Sequence, residues 1–221
     1  MTRNYKENSI NWDLKNVVEL YRKLYCYYAC HFENGCDLTA QVPHAHFWHV
    51  CMRADAALKS EKFTKVVPEK KPVLKYIENQ TADIGSPYGE LRTLLKSLSP
   101  YLSWAYGYEA MPEALMEKYA YAEILSPQGP MMAEDLVLGA VMLGPECWYP
   151  EHYHVNIAES YVCLIGECWI NQTPLIPQQW YYVGPGVTHQ IETSKDTPCL
   201  LAYAWVGERA FLTHKDSMVM V

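Results

Sequence analysis

The chain has no long apolar run. Its clearest one, CLLAYAWV at 199–206, is far too short for a bilayer, which takes about 20 residues. No apolar segment follows the polar start MTRNYKENSINWDLKN, so no secretory signal is expected and the cytoplasm is the default compartment. Basic charge is in deficit: 18 Lys and Arg stand against 25 Asp and Glu, a net charge of -7. Phosphate contacts need a basic face, which sets nucleic-acid binders aside. Charged residues make up only 19% of the 221 and hydrophobic ones 50%, so a packed core is expected and disorder is not. There is no CxxC pair among the eight cysteines at 26, 30, 36, 51, 147, 163, 168 and 199. That argues against a zinc ribbon or a thioredoxin-like site. In a reducing compartment these cysteines are expected to be mostly buried small hydrophobes. Cys26, Cys30 and Cys36 with His31 follow no known ligand pattern. Internal repeats and low-complexity segments are also lacking.

What is there changes texture near residue 120. Before it, apolar residues recur at Leu14, Val17, Val18, Tyr21, Leu24, Tyr25 and Tyr28, which is a helical rhythm. A second helix is predicted to start at Ser86 as N-cap with Pro87 in the first position, to carry Leu91, Leu94, Leu95 and Leu98, and to end before Pro100. A third opens on Pro112 in PEALMEKY. The lysine-rich SEKFTKVVPEKKP at 60–72 reads as a loop or a poorly packed helix edge. After residue 120, YAEILSP, DLVLGAVML, SYVCLIGECWI, QWYYVGPG and CLLAYAWVG are short, β-branched or aromatic, and separated by turn residues. Such strands indicate an antiparallel sandwich or barrel. The expected architecture is mainly β with a helical extension: a helical region over 1–118, then a β-barrel over 119–221. The apolar helices suggest a homodimer.

The stretch WYPEHYHVNIAESYVCLIG, from Trp148 to Gly166, is dense in reactive side chains. His152 and His154 are two apart and share a strand face, as do Glu159 and Tyr161. A turn near Val155-Asn156 lets the two pairs face one another. A later turn, Gly184-Pro185-Gly186, presents His189. Three histidines and a glutamate form a first-row metal ligand set with room for substrate or water. Alone, HYH is more simply a polar strand with half-buried histidines. The combination with Glu159, Gly166 and GxGxxH points to one divalent metal on His152, His154, Glu159 and His189, with Fe, Mn, Co, Ni and Zn all compatible.

The series His152-x-His154-x4-Glu159-x6-Gly166 with Gly186-x2-His189 resembles the cupin motif pair, with Gly184 where the second motif usually has proline. The resemblance covers roughly residues 137–207 and implies a double-stranded β-barrel with a metal inside its mouth. Tyr161, Tyr149 and Leu200-Leu201-Ala202-Tyr203-Ala204-Trp205, with the helical extension, resemble the cupin-type dimethylsulfoniopropionate (DMSP) lyases. That implies β-elimination of DMSP to dimethyl sulfide and acrylate, with a small molecule as partner rather than nucleic acid or membrane. A cupin sugar isomerase and a non-enzymatic metal- or ligand-binding cupin are the alternatives.

The residues answer that chemistry. Tyr161 shares a face with Glu159 and is the expected base; making a phenolate at pH 7 costs about 4 kcal/mol, which a metal cation can offset. Tyr149 is expected to donate to substrate or to sit at the rim. A sulfonium offers no hydrogen-bond donor and is best held by aromatic faces. Trp148, Trp169, Trp180, Tyr182, Tyr203 and Trp205 are candidates, each also a plausible core residue. The resemblance singles out Trp205; Tyr203 and Trp148 are further expected substrate contacts. PHAHFWH gathers His44, His46 and His49 with no carboxylate near, and reads as structural or as a lid over the barrel mouth.

Overall fold

A computed structural model of the chain describes residues 2–32, 41–79 and 85–221. Two antiparallel helices open it, α1 (Thr2–Phe32) and α2 (Gln41–Ser60). The seven apolar positions of the α1 rhythm are all buried. PHAHFWH lies on α2, a helix the sequence pattern did not announce. Its Pro43 falls in the first turn, where proline removes no intrahelical bond, and Phe47, Val50 and Ala54 turn inward.

The short α3 (Lys75–Glu78) precedes α4 (Pro87–Leu98). The α4 start is as predicted: Ser86 Oγ accepts the Gly89 N–H at 3.1 Å, and Pro87 takes the first position. A 3₁₀ turn over Ser99–Tyr101 closes it. The third expected helix is a single turn, α5 (Glu113–Met116), and α6 (Arg209–Leu212) is another. Among the described residues no helix is long and apolar enough to cross a membrane.

Among the described residues there are twelve strands. They are β1 (Trp104–Ala105), β2 (Tyr119–Ser126), β3 (Met131–Met132), β4 (Leu136–Leu143), β5 (Trp148–His154) and β6 (Ala158–Ile165), then β7 (Cys168–Ile170), β8 (Thr173–Leu175), β9 (Trp180–Val183), β10 (His189–Thr193), β11 (Cys199–Val206) and β12 (Met218–Met220). One sheet runs β1-β2-β4-β11-β6-β9, with β3 beside β2; the other runs β12-β5-β10-β7-β8. The strands predicted after residue 120 all form. β1 lies within the stretch read as helical, and β12 pairs with β5 unannounced. Bridges from Phe63 to Met131 and from Glu69 to Ser103 tie the lysine-rich stretch to the barrel.

The larger sheet is buried on both faces. Its outer face carries Ala120, Ala122, Ala140, Ala202 and Ala204, all essentially inaccessible, and small side chains let the helices pack closely against it. Tyr21 of α1 donates to the Gly139 carbonyl of β4. The inner face carries Tyr119, Val137, Tyr161, Leu201 and Tyr203 toward the second sheet. Turns occur where the motif needs them. Asn156 has φ 54°, and Gly166 has φ 70° with Pro198 O only 1.9 Å from where a Cβ would stand.

The expectation for the cysteines is corrected at two positions. Cys26 and Cys51 form a disulfide between α1 and α2, whose antiparallel packing brings their Cα atoms to 5.5 Å. Cys147, Cys163, Cys168 and Cys199 are buried thiols, Cys30 is exposed, and Cys36 lies outside the described residues.

Candidate metal centre

The two sheets each bring part of the predicted set. β5 supplies His152 and His154, and β10 pairs with it so that His189 faces His152. β6, in the opposite sheet, supplies Glu159. The four side chains are buried, and their ligand atoms all lie within 4.8 Å of one another, an arrangement that can hold a metal ion.

The polar atoms fit a cation. Nδ1 of His152 donates to the Pro150 carbonyl at 2.9 Å, and Nδ1 of His189 lies 3.3 Å from the Val187 carbonyl. Each leaves its Nε2 lone pair for a metal, the usual arrangement for ligating histidines. Nε2 of His154 and Oε2 of Glu159 approach to 3.2 Å, yet each lacks a partner in hydrogen-bonding geometry. Orphaned buried polar atoms are costly, and a shared cation would satisfy both. Burial and the neighbouring His189 hold His152 down to about 3, so it is a neutral imidazole at physiological pH. Burial opposes the charge on Glu159, but His154 and His189 outweigh it and keep the carboxyl well below its ordinary range.

The other predicted residues divide. Tyr161 is buried, with its hydroxyl 3.3 Å from Nε2 of His189. Tyr149 is buried too, stacked on Tyr119 at 4.3 Å and edge-on to His152 at 4.9 Å. Tyr203 and Trp205 line the same cavity of about 720 Å³. Trp205 does more than line it: its indole N–H donates to Oε1 of Glu159 at 2.5 Å. Trp148 does not join them. It alternates with Tyr149 along β5, so it turns to solvent and is 56% exposed. Trp180 and Tyr182 pack against Phe47 and His46 behind the sheet.

The histidine group of α2 is structural at His46, and the lid reading is corrected. His46 Nε2 and the Tyr25 hydroxyl meet Ser160 Oγ at 2.7 and 2.8 Å, on the helix side of β6 rather than at the barrel mouth. Sequence reasoning missed this anchor, the Trp205–Glu159 bond, and the Tyr119, Tyr121 and Glu123 side chains that line the cavity from β2. The period-2 spacing of those three was the available signal.

A double-stranded β-barrel with three histidines and a glutamate converging between its sheets defines a cupin. Within that class, the chain belongs to the DMSP lyase family, whose model matches residues 48–201. A putative DMSP lyase, DddL, from Cereibacter sphaeroides is 42% identical over 144 residues, 63% of this chain and 61% of that protein. The chain thus spans about three fifths of the curated relative it matches. A chain from the crystal structures of the DMSP lyases RdDddP and RnDddQII superimposes with TM-score 0.63 at 20% identity, over 72% of this chain and 83% of that one. DMSP lyase DddQ from Ruegeria pomeroyi DSS-3 gives TM-score 0.61 at 20% identity, over 72% and 81%. At such identity these two likenesses speak for the fold alone.

Proposed function

We propose that the protein is a metal-dependent lyase that cleaves DMSP by β-elimination, with Tyr161 as the base. The observation that carries this reading is the position of the Tyr161 hydroxyl, buried in the cavity wall 3.3 Å from the ligand nitrogen of His189. His152, His154, Glu159 and His189 would hold one divalent transition metal, supplying Lewis acidity for the substrate carboxylate and a charge that favours the phenolate.

The protein's own field does not make Tyr161 a base. Burial and the Glu159 carboxylate push its hydroxyl well above the ordinary tyrosine value. The reading therefore requires cationic charge beside it. As phenolate, Tyr161 takes the proton from the carbon next to the substrate carboxylate. The electron pair forms the carbon–carbon double bond, the bond from the β-carbon to sulfur breaks, and dimethyl sulfide leaves acrylate behind. Tyr149, on the facing sheet of the same cavity, orients the substrate. The enclosing aromatic side chains keep water from the developing charge.

The experiment is direct. The purified, metal-loaded protein is given DMSP, and acrylate and dimethyl sulfide are followed together. Equal amounts of both, lost on chelation and restored by divalent metal, support the reading. Full metal occupancy with neither product would refute it.

A further inference from the structure

The cavity has a second polar pole away from the metal ligands. β2 alternates from Tyr119 to Ile124: Ala120, Ala122 and Ile124 enter the core shared with the helices, while Tyr119, Tyr121 and Glu123 line the cavity. Glu123 is largely enclosed, and among the described residues no lysine or arginine pairs with it. Its partner is Ser126, whose hydroxyl donates to one carboxylate oxygen. Burial raises the Glu123 carboxyl above its ordinary value, and the Ser126 hydroxyl opposes that.

Register places this carboxylate in line with the reaction site. Glu123 faces Gly139 on β4, Gly139 faces Tyr203 on β11, and Tyr203 faces Tyr161 on β6. With strands about 4.8 Å apart, the backbones of Glu123 and Tyr161 stand about 14 Å apart across the sheet, before their side chains reach inward. Gly139, without a side chain, leaves room in the middle of the row for the Tyr203 ring. A Cβ there would stand 2.5 Å from a Tyr203 ring carbon, so the tyrosine ring covers that position. The Tyr203 hydroxyl is buried and has no hydrogen-bond partner. Tyr121 meets the Tyr203 ring edge-on at 6.5 Å.

We propose that Glu123, with the rings of Tyr121 and Tyr203, forms a cation subsite that selects substrates whose leaving group carries a permanent positive charge. The proposal rests on the lyase reading for the other end of the substrate. An enclosed carboxylate beside aromatic faces, with no protein cation to neutralise it, is complementary to an onium group. Such a group has no N–H or O–H to donate and is held by charge, cation–π attraction and dispersion. The competing role for Glu123 is to fasten the turn after β2 through Ser126. Glutamine keeps an oxygen for that bond and loses only the charge, so Glu123→Gln separates the two.

The test uses two carboxylates that have no β-carbon and so cannot be eliminated, dimethylsulfonioacetate and its neutral counterpart (methylthio)acetate. Their binding to the metal-loaded protein is measured by calorimetry. The wild type is expected to bind the sulfonium about ten-fold tighter. Glu123→Gln should lose most of that preference, leave the thioether unchanged and raise KM for DMSP with kcat nearly kept. Glu123→Asp should retain part of the preference. Equal wild-type affinities, including none for either compound, overturn the subsite whether or not the variants fold. So does a folded, metal-loaded Glu123→Gln protein with unchanged preference, or one weakened equally for both. Sulfonium preference without turnover of DMSP would sink the lyase reading alone; turnover without the preference would sink the subsite alone.

Discussion

The indole N–H of Trp205 donates to Oε1 of Glu159 at 2.5 Å, across directly paired positions of β11 and β6. This bond orients the carboxylate, turning Oε2 toward Nε2 of His154 and of His189 at 3.2 and 3.0 Å. Partners that orient metal ligands govern affinity as well as geometry.

Trp205→Phe keeps an aromatic ring in the cavity and removes that donor. Metal affinity should fall about 10- to 100-fold, as for other outer-shell partners. Titration against a chelator of known affinity checks it. An unchanged metal affinity with a raised KM for DMSP would instead make Trp205 a substrate contact alone.

His46 makes stability depend on pH. Burial holds it down to about 3 in the folded protein, whereas the unfolded chain takes up that proton near pH 6.5. Between those values the unfolded state binds more protons, so stability falls as pH drops below about 6.5. His46→Gln removes one such group and the Ser160 bond. It should be less stable than wild type at pH 7, by about 1 to 2 kcal/mol. On acidification it should lose up to about 1.4 kcal/mol per pH unit less than wild type. Urea unfolding at pH 5 and pH 7, with both proteins in the same metal state, gives the four values required. Parallel losses in the two proteins would show that His46 does not titrate as argued.

The candidate ligand set was legible because it obeys strand period. His152 and His154 share a face, Asn156 turns the chain, and Glu159 and Tyr161 return on the facing strand. A local spacing thus carries three-dimensional information. Trp205 was legible as a cavity residue but not as the partner of Glu159, because that bond spans 46 residues and depends on the register of β11 against β6. Trp148 was misjudged for a simpler reason: it has the opposite parity to Tyr149 on β5. The α2 helix was hidden by its proline and histidines, and Glu123 reads as an ordinary strand charge until β2 is placed beside Gly139.

Gly166 ends β6 in a left-handed conformation, pressed against the Pro198 carbonyl. Gly166→Ala should destabilise the fold by about 3 kcal/mol or more, because alanine meets both the φ penalty and the backbone collision. Thermal unfolding checks this, and a melting temperature equal to wild type would contradict the tight turn.

Tyr161→Phe tests the central claim most directly. The substitution removes one hydroxyl, keeps the ring volume and leaves all four proposed metal ligands in place. Steady-state acrylate formation and bound metal are measured on the same samples, with Tyr149→Phe beside it. A positioned base contributes about 10²- to 10⁴-fold, so kcat should fall by that factor at unchanged metal content, while Tyr149→Phe should act mainly on KM. A metal-replete Tyr161→Phe protein with near-normal kcat would contradict the account, and an inactive Tyr149→Phe protein in the same experiment would move the base to Tyr149.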